Sequence, residues 1–550
     1  MPRPRSANVA RHLETRAAES PERVALIAPS GEGREPVRRT FAQLHGDVAA
    51  AAAVFAAAGM GRGTRTLLAA RPGLDLIRAV FGLMWLGAVP VVLDPGLGLR
   101  GLLRCIARTQ PEALVGVPPA LAMRRLFSRA FAATRHAVGI GGAGFARALA
   151  AQQAAGTLPG PAPCGPEEPA AILFTSGSTG PAKGVLYRHR HFEAQVGLVR
   201  ETYGIEPGEV DFPMLPVFAL FNSALGMTTV VPPMNPARPA RADPARLLAA
   251  MQAHGVTNSF GSPAVWRIIA DHCAKTGESL PGLRRVLAAG APVTPRLLEE
   301  LRVLAPNAAI HTPYGATEAL PVASIQAGTV LEETAAHTRA GAGTCVGRPL
   351  EAVDVRILRL PDEPTENGSL GEELSTGEVG EIVVAGPQVT EAYDKLPEAT
   401  AKAKLRGPDG RLYHRMGDLG YFDARGRLWF CGRLVEAVRL PGGRELYTDC
   451  VEGIFNAHPS VRRCALIGLG GRGAEKPALV VEPGKQAWPG NWRKRERLAS
   501  VLKAFGAERL PDVQLAAVFF QKRLPVDVRH NAKIHRLSLR RRYQHQSSGA

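Results

Sequence analysis

Hydrophobic and polar positions follow two different rhythms along this chain, helical and parallel-strand in the first two thirds and alternating further on. Residues 41–61 are alanine-rich and read as a helix that stops at Gly59 or Gly61, since alanine favours a helix and glycine ends one. Arg62 to Ala70 reads as a short strand, Leu74 to Gly87 as a helix, and Val89 to Leu93 as a buried β-branched strand halted by Asp94-Pro95-Gly96. Strand–helix–strand order needs a crossover, which predicts a parallel α/β sheet. A Pro/Gly/Ala-rich stretch from Gly156 to Pro169 leads into an apolar strand at Ala170 to Phe174.

From about Val355 the rhythm changes to short alternating strands bounded by glycines, as in Gly380-Glu-Ile-Val-Val-Ala-Gly386 and Gly426-Arg-Leu-Trp-Phe-Cys-Gly432. That is all-β, barrel-like texture. After Gly432-Arg433 a small mixed unit restarts, with a helix near Asp449 to Ala457, a strand near Arg463 to Leu469 and a second helix near Trp492 to Phe505. The expected domains are therefore 1–433 and 434–550, and no internal repeat is visible.

Length agrees with two domains, because 550 residues exceed the roughly 250–300 at which one core stops growing. Hydrophobic residues at 45% and charged residues at 21% exclude disordered and fibrous classes. A net charge of +18 and a pI near 10.0 raise the question of nucleic acid. Yet the arginines are scattered, and the one dense basic run, Arg536 to Tyr543, lacks interleaved aromatic stacking residues. A solvated arginine-rich surface and no nucleic-acid partner are expected.

The seven cysteines never come closer than fourteen positions, which leaves no metal knuckle or Cys-x-x-Cys pair and suits a reducing compartment. No apolar core follows Met1-Pro-Arg-Pro-Arg, so no secretory signal is expected. The longest apolar run, Ala79 to Leu93, is broken by Gly82, Gly87 and Pro90 and falls short of the roughly 18 residues of a membrane span. The chain should be cytoplasmic, without a transmembrane segment, while contact with a membrane surface stays open.

The strongest chemical signal is the loop Thr175-Ser176-Gly177-Ser178-Thr179-Gly180-Pro181-Ala182-Lys183-Gly184, set directly after the apolar strand. Glycines let backbone N–H groups approach a polyphosphate, hydroxyls add donors and Lys183 adds charge. No Gly-x-x-x-x-Gly-Lys-Ser/Thr spacing runs through it, so it is not a Walker A loop.

With this loop and seven further motifs in order, the chain resembles the acyl-adenylate-forming superfamily of acyl-CoA synthetases, peptide-synthetase adenylation domains and luciferases. The motifs are Leu86 to Pro95, Ala289-Gly290-Ala291-Pro292, Tyr314-Gly315-Ala316-Thr317-Glu318, Gly380 to Tyr393 with Pro397-Glu-Ala-Thr400, Gly417-Asp418-Leu419, Gly432-Arg433 and Asn531-Ala-Lys533-Ile534. The resemblance implies an α/β fold: a large N-terminal AMP-binding domain of parallel α/β sheets plus a distorted β-barrel, and a small mobile α+β C-terminal lid. It also implies ATP and Mg²⁺. Glu318 would hold the metal, Thr317 would contact the α-phosphate and Tyr314 would stack on adenine beside Gly290, Ala291 and Pro292. Asp418 and Arg433 would take the ribose, and Lys533 would reach the α-phosphate and the substrate carboxylate. The chemistry suits these types, because joining a carboxylate to a phosphate requires cations to offset two anions, and Mg²⁺ favours carboxylate and water ligands.

Three positions depart from the thioester-forming pattern. Ala219 stands where many acyl-CoA synthetases have histidine, Val435 occupies the usual hinge position, and Met416 replaces a threonine before Gly417. Leu215 to Asn222, the long segment between Glu318 and Gly347, and Gly343 to Pro349 are similar instead to the olefin β-lactone synthetases of bacterial hydrocarbon biosynthesis. That likeness implies adenylation of a long-chain 2-alkyl-3-hydroxy acid, then attack by the substrate's own hydroxyl. It also implies assembly with a β-lactone decarboxylase and a reductase. Phe218, Phe221 and Trp266 are candidate walls for the alkyl chains, and His189 and His191 are histidines near the loop for which a structural role is favoured over proton transfer. An acyl-CoA synthetase or acyl-AMP ligase loading a thiol is the rival reading, followed by a non-enzymatic basic binding protein.

Overall fold

The computed structural model describes residues 7–30, 35–175, 182–360, 370–527 and 533–544. Two sheets are stacked in its larger part. The smaller runs His136–Gly139, Ala113–Gly116, Arg65–Ala69, Val89–Val92, Pro169–Thr175 and Lys183–Arg188, all parallel except the last. The larger has a parallel core of Ala309–Ala316, Arg285–Ala288, Asn258–Gly261, Val210–Asp211, Thr228–Val230 and Val24–Ala28. As expected from the crossover pattern, helices join these strands.

Helices fill three layers around the two sheets. Between them lies the central core, where Leu26 and Phe260 of the larger sheet meet Leu68 and Val115 of the smaller through helices such as Phe41–Ala57 and Leu74–Trp85. Outside the larger sheet pack Pro244–Ala253, Pro263–Thr276 and Pro295–Leu304. Outside the smaller sheet, among the described residues, are the helices Gly98–Thr109 and Pro118–Leu126. The alanine-rich helix suits the crowded central layer: Ala50, Ala51 and Ala52 are fully buried, and a β-carbon at Gly82 on the next helix would lie 3.0 Å from the Ala51 methyl. Its start is set by a reciprocal cap, in which Gln43 N–H donates to the Thr40 hydroxyl and the Gln43 side chain accepts from Thr40 N–H. It ends at Ala57, two residues before the first candidate glycine.

The barrel-like strands do not stand apart. Ala309–Ala316 turns back as Ala319–Gln326, and Thr344–Pro349, Leu428–Arg433, Leu412–Phe422, Gly380–Ala385 and Asp354–Leu358 follow as an antiparallel continuation of the same sheet. Past Leu428–Arg433 the chain forms a separate three-stranded sheet, Val461–Leu469, Lys476–Pro483 and Ala517–Phe520, flanked by Thr448–Asn456, Trp492–Arg509 and Arg536–Gln544. All seven cysteines are free, and six are buried. Among the described residues no helix is long and apolar enough to cross a membrane.

Candidate active site

The Tyr-Gly-x-Thr-Glu motif occupies the hairpin where the parallel core becomes the antiparallel wing. Tyr314, Gly315 and Ala316 end one strand, Thr317 and Glu318 form the turn, and Ala319 pairs back with Ala316. The strands are pressed together here, since a β-carbon on Gly315 would lie 2.7 Å from the Ala319 carbonyl. The turn is pinned from the other sheet by the Tyr187 hydroxyl, which donates to the Thr317 carbonyl.

Strands Leu412–Phe422 and Leu428–Arg433 bring Asp418 opposite Arg433. Gly417 takes φ +65°, a left-handed conformation that glycine adopts without strain, and the strand resumes with Asp418 turned inward and 3% exposed. Asp418 Oδ2 accepts from the Tyr314 hydroxyl at 2.6 Å. Its Oδ1 lies 3.0 Å from Arg433 Nε but outside hydrogen-bonding direction, so this buried oxygen accepts no hydrogen bond. Burial lifts the Asp418 carboxyl above the usual range, while Arg433, the Tyr314 hydrogen bond and Lys533 pull it down. Burial and Asp418 together push the Tyr314 phenol well up. A buried carboxylate with an idle oxygen beside a cation is suited to accept hydroxyl protons from a polyol.

A second cluster surrounds Glu318. Its Oε1 accepts from the Tyr393 hydroxyl at 2.7 Å, and its carbonyl accepts from Thr390 N–H at 2.9 Å. Lys183 Nζ stands 4.6 Å over the Tyr393 ring, which places the loop lysine beside the hairpin carboxylate. Lys404 is buried, donates to the Thr390 carbonyl, and is pushed down to about 7 by burial, with Glu318 opposing. His414, also buried, is held well below its usual range by burial and by the charge of Lys404. Lys404 and His414 carry no motif of their own in the sequence.

Lys533 comes from the C-terminal unit, exposed yet within electrostatic reach of Asp418. Its backbone N–H donates to Asp527 Oδ1 at 2.9 Å and its carbonyl accepts from Asp527 N–H at 3.0 Å, fixing its position. Gly290, Ala291 and Pro292 follow the strand Arg285–Ala288, which runs parallel beside the Tyr314 strand. They sit at the carboxyl ends of parallel strands, where α/β sheets hold ligands. Thr175 ends its strand, and Ser176, Gly177, Ser178, Thr179 and Gly180 lie outside the described residues.

The two histidines after the loop serve the fold. His189 Nδ1 accepts from Val9 N–H at 3.2 Å and His191 Nδ1 from Arg188 N–H at 3.0 Å. Burial lowers them to about 4 and about 3 respectively. Phe218 stacks on Phe260 at 3.7 Å and neighbours Phe221 in the central layer. Trp266 does not join them; it is fully buried in the core on the far side of the larger sheet.

A family model described as AMP-binding enzyme matches residues 13–394. The chain belongs to this family. It is 45% identical to the olefin β-lactone synthetase of Stenotrophomonas maltophilia (strain K279a), over 97% of this chain and 98% of that protein. With the olefin β-lactone synthetase of Xanthomonas campestris pv. campestris it shares 44% identity over 97% and 96%. The solved amide bond synthetase McbA from Marinactinospora thermotolerans has the same fold, with a TM-score of 0.79, 25% identity, and coverage of 98% of this chain and 99% of that one. The family and the adenylating fold expected from the sequence are thus borne out, and the thioester-forming ligases are more distant relatives.

Proposed function

We propose that this chain activates a long-chain 2-alkyl-3-hydroxy acid with ATP and closes it to a β-lactone, releasing pyrophosphate and AMP. The observation that carries this reading is the whole-length kinship to two olefin β-lactone synthetases. In the first half-reaction a carboxylate oxygen attacks the α-phosphorus of ATP and the bond to pyrophosphate breaks. Asp418 and Arg433 hold the ribose, with Tyr314 buttressing Asp418. Lys533 and the loop led by Thr175 and Lys183 offset the negative charge gathered at the phosphorus. A single carboxylate at Glu318, steadied by Tyr393, fits a Mg²⁺ ion held mostly by phosphate oxygens and water. When bound, the ion neutralises phosphate charge.

In the second half-reaction the substrate's 3-hydroxyl oxygen attacks the acyl carbon, the acyl–phosphate bond breaks, and the departing AMP phosphate accepts the hydroxyl proton. An intramolecular nucleophile needs no thiol channel, and well-oriented intramolecular attack is worth about 7–11 kcal/mol. Buried Ala219, in the place of the thioester-forming histidine, accords with this. In this reading the reaction runs in the cytoplasm, alongside a β-lactone decarboxylase that consumes its product and a reductase that supplies its hydroxy acid.

The test is to incubate the protein with ATP, Mg²⁺ and a synthetic 2-alkyl-3-hydroxy fatty acid without CoA, and to identify the product by NMR. A β-lactone formed over many turnovers is the expected result. An adenylate that stalls until CoA is added would return the chain to the thioester-forming ligases.

A further inference from the structure

The thin outer layer over the smaller sheet has an unusual charge. Between Pro95 and Pro166 the sequence holds eight arginines, no lysine and one acidic residue, Glu112. Elsewhere a number of arginines are matched, as Arg285 is with Glu209, Arg415 with Glu381 and Arg536 with Glu452. In this layer Arg108 and Arg124 are spent on backbone carbonyls. Arg100, Arg104, Arg125, Arg129 and Arg135 are exposed and have no ion-pair partner among the described residues. Arg100 and Arg104, four apart on helix Gly98–Thr109, form one stripe.

Exposed aliphatic residues stand directly beside the arginines. Leu99 is 50% exposed and Leu126 77%, and each is the chain neighbour of an exposed arginine. Beside helix Pro118–Leu126 an open recess of about 650 Å³ is lined by Leu121, Arg124, Arg125, Ser128, Phe131 and Thr134. Guanidinium groups next to projecting leucines match the boundary between phosphate headgroups and acyl chains. A nucleic-acid face calls instead for exposed aromatic rings, and among the described residues the large apolar groups exposed on this layer are aliphatic.

We propose that the layer built by Gly98–Thr109 and Pro118–Leu126 docks the enzyme on an anionic phospholipid bilayer. The contact is peripheral, since no described helix can span one, and the inference rests on this surface alone, independently of the reaction. Docking also sets the phosphate loop near the bilayer, because helix Gly98–Thr109 is bonded through Arg108 to Ala182 at the end of that loop.

The full-length protein is sedimented with phosphatidylcholine vesicles containing about one-third phosphatidylglycerol, and with pure phosphatidylcholine, at low and high salt. Binding to the anionic vesicles alone, weakened by salt, is expected. Arg100→Glu/Arg104→Glu/Arg125→Glu/Arg129→Glu should lower the partition coefficient at least about 100-fold, and Leu99→Ser/Leu126→Ser roughly tenfold, with ATP–pyrophosphate exchange unchanged in both. The leucine pair also serves if the fourfold charge reversal does not fold. No sedimentation of the parent protein, as for a face that binds an acidic protein, overturns the proposal. So does binding that survives both variants and is lost in Arg541→Glu/Arg542→Glu of the C-terminal helix.

Discussion

At the scale of single residues, several charges around the site lie where water cannot reach them. Lys404 is the clearest case. Burial lowers it from 10.5 to about 7, so the native state binds this proton less well than the unfolded chain does. Its contribution is fully unfavourable below about pH 7 and fades as pH rises toward 10.5, which makes the parent protein gain stability across that window. The shift corresponds to about 4–5 kcal/mol at most. Lys404→Met should remove this slope, so that the urea midpoints of variant and parent differ most at neutral pH and converge toward about pH 10. Parallel pH profiles for the two proteins would sink the assignment. Lys404 also shows where the sequence falls silent. Tyr314, Asp418 and Arg433 are legible because each lies in a short motif with fixed neighbours. Lys404 follows the helix Pro397–Ala403, whose Lys402 is exposed, and only its pairing opposite His414 turns it inward.

At the scale of elements, helices and parallel strands were readable from alanine runs, β-branched clusters and glycine stops, while their ends moved by a few residues. The strand expected from Arg62 begins at Arg65 because Gly61 to Thr64 is a turn, closed by Thr64 N–H to the Gly61 carbonyl at 3.0 Å. The attachment of the antiparallel wing to the larger sheet was not readable, since past the local hairpin at Thr317 and Glu318 it depends on distant segments, Thr344–Pro349 pairing with Leu428–Arg433. One contact of this kind is testable. Helix Thr448–Asn456 of the C-terminal unit lies against Ala335–Arg339, and a β-carbon at Gly453 would fall 2.5 Å from the Thr338 carbonyl. Gly453→Ala gains about 1 kcal/mol in helix propensity and forces a backbone clash costing about 1–3 kcal/mol. The clash should win. Looser seating of the unit should appear as faster limited proteolysis near 434–436 and at least about tenfold slower pyrophosphate exchange, with far-UV circular dichroism unchanged. Unaltered cleavage and exchange would show that this approach does not fix the unit's position.

At the scale of the whole molecule, Lys533 of the C-terminal unit lies within electrostatic reach of Asp418, and the unit itself is built around a few buried charges. Arg536 ties the small unit together: it bonds Glu436, in the turn just after Arg433, at 2.9 Å and Glu452, on helix Thr448–Asn456, at 2.6 Å. Both carboxylates are buried, and Glu452 Oε1 also accepts from Leu466 N–H at 2.9 Å. Across to the larger part runs a hydrogen bond from the Thr344 hydroxyl to Asp449 at 3.2 Å, with Asp449 raised to about 7 by burial. Arg536→Met strips the cation from two buried carboxylates, and losing one member of such a set costs about 3–5 kcal/mol. That loss belongs to the small unit, because Glu452 and Leu466 tie its helix to its sheet. Denaturation by urea should therefore separate into two steps, with the earlier one moved down in the variant and the later one unmoved. Arg536→Met/Glu452→Leu should recover part of the loss, since the second change removes one of the stranded charges. A single step displaced as a whole would mean that the two parts unfold as one cooperative body.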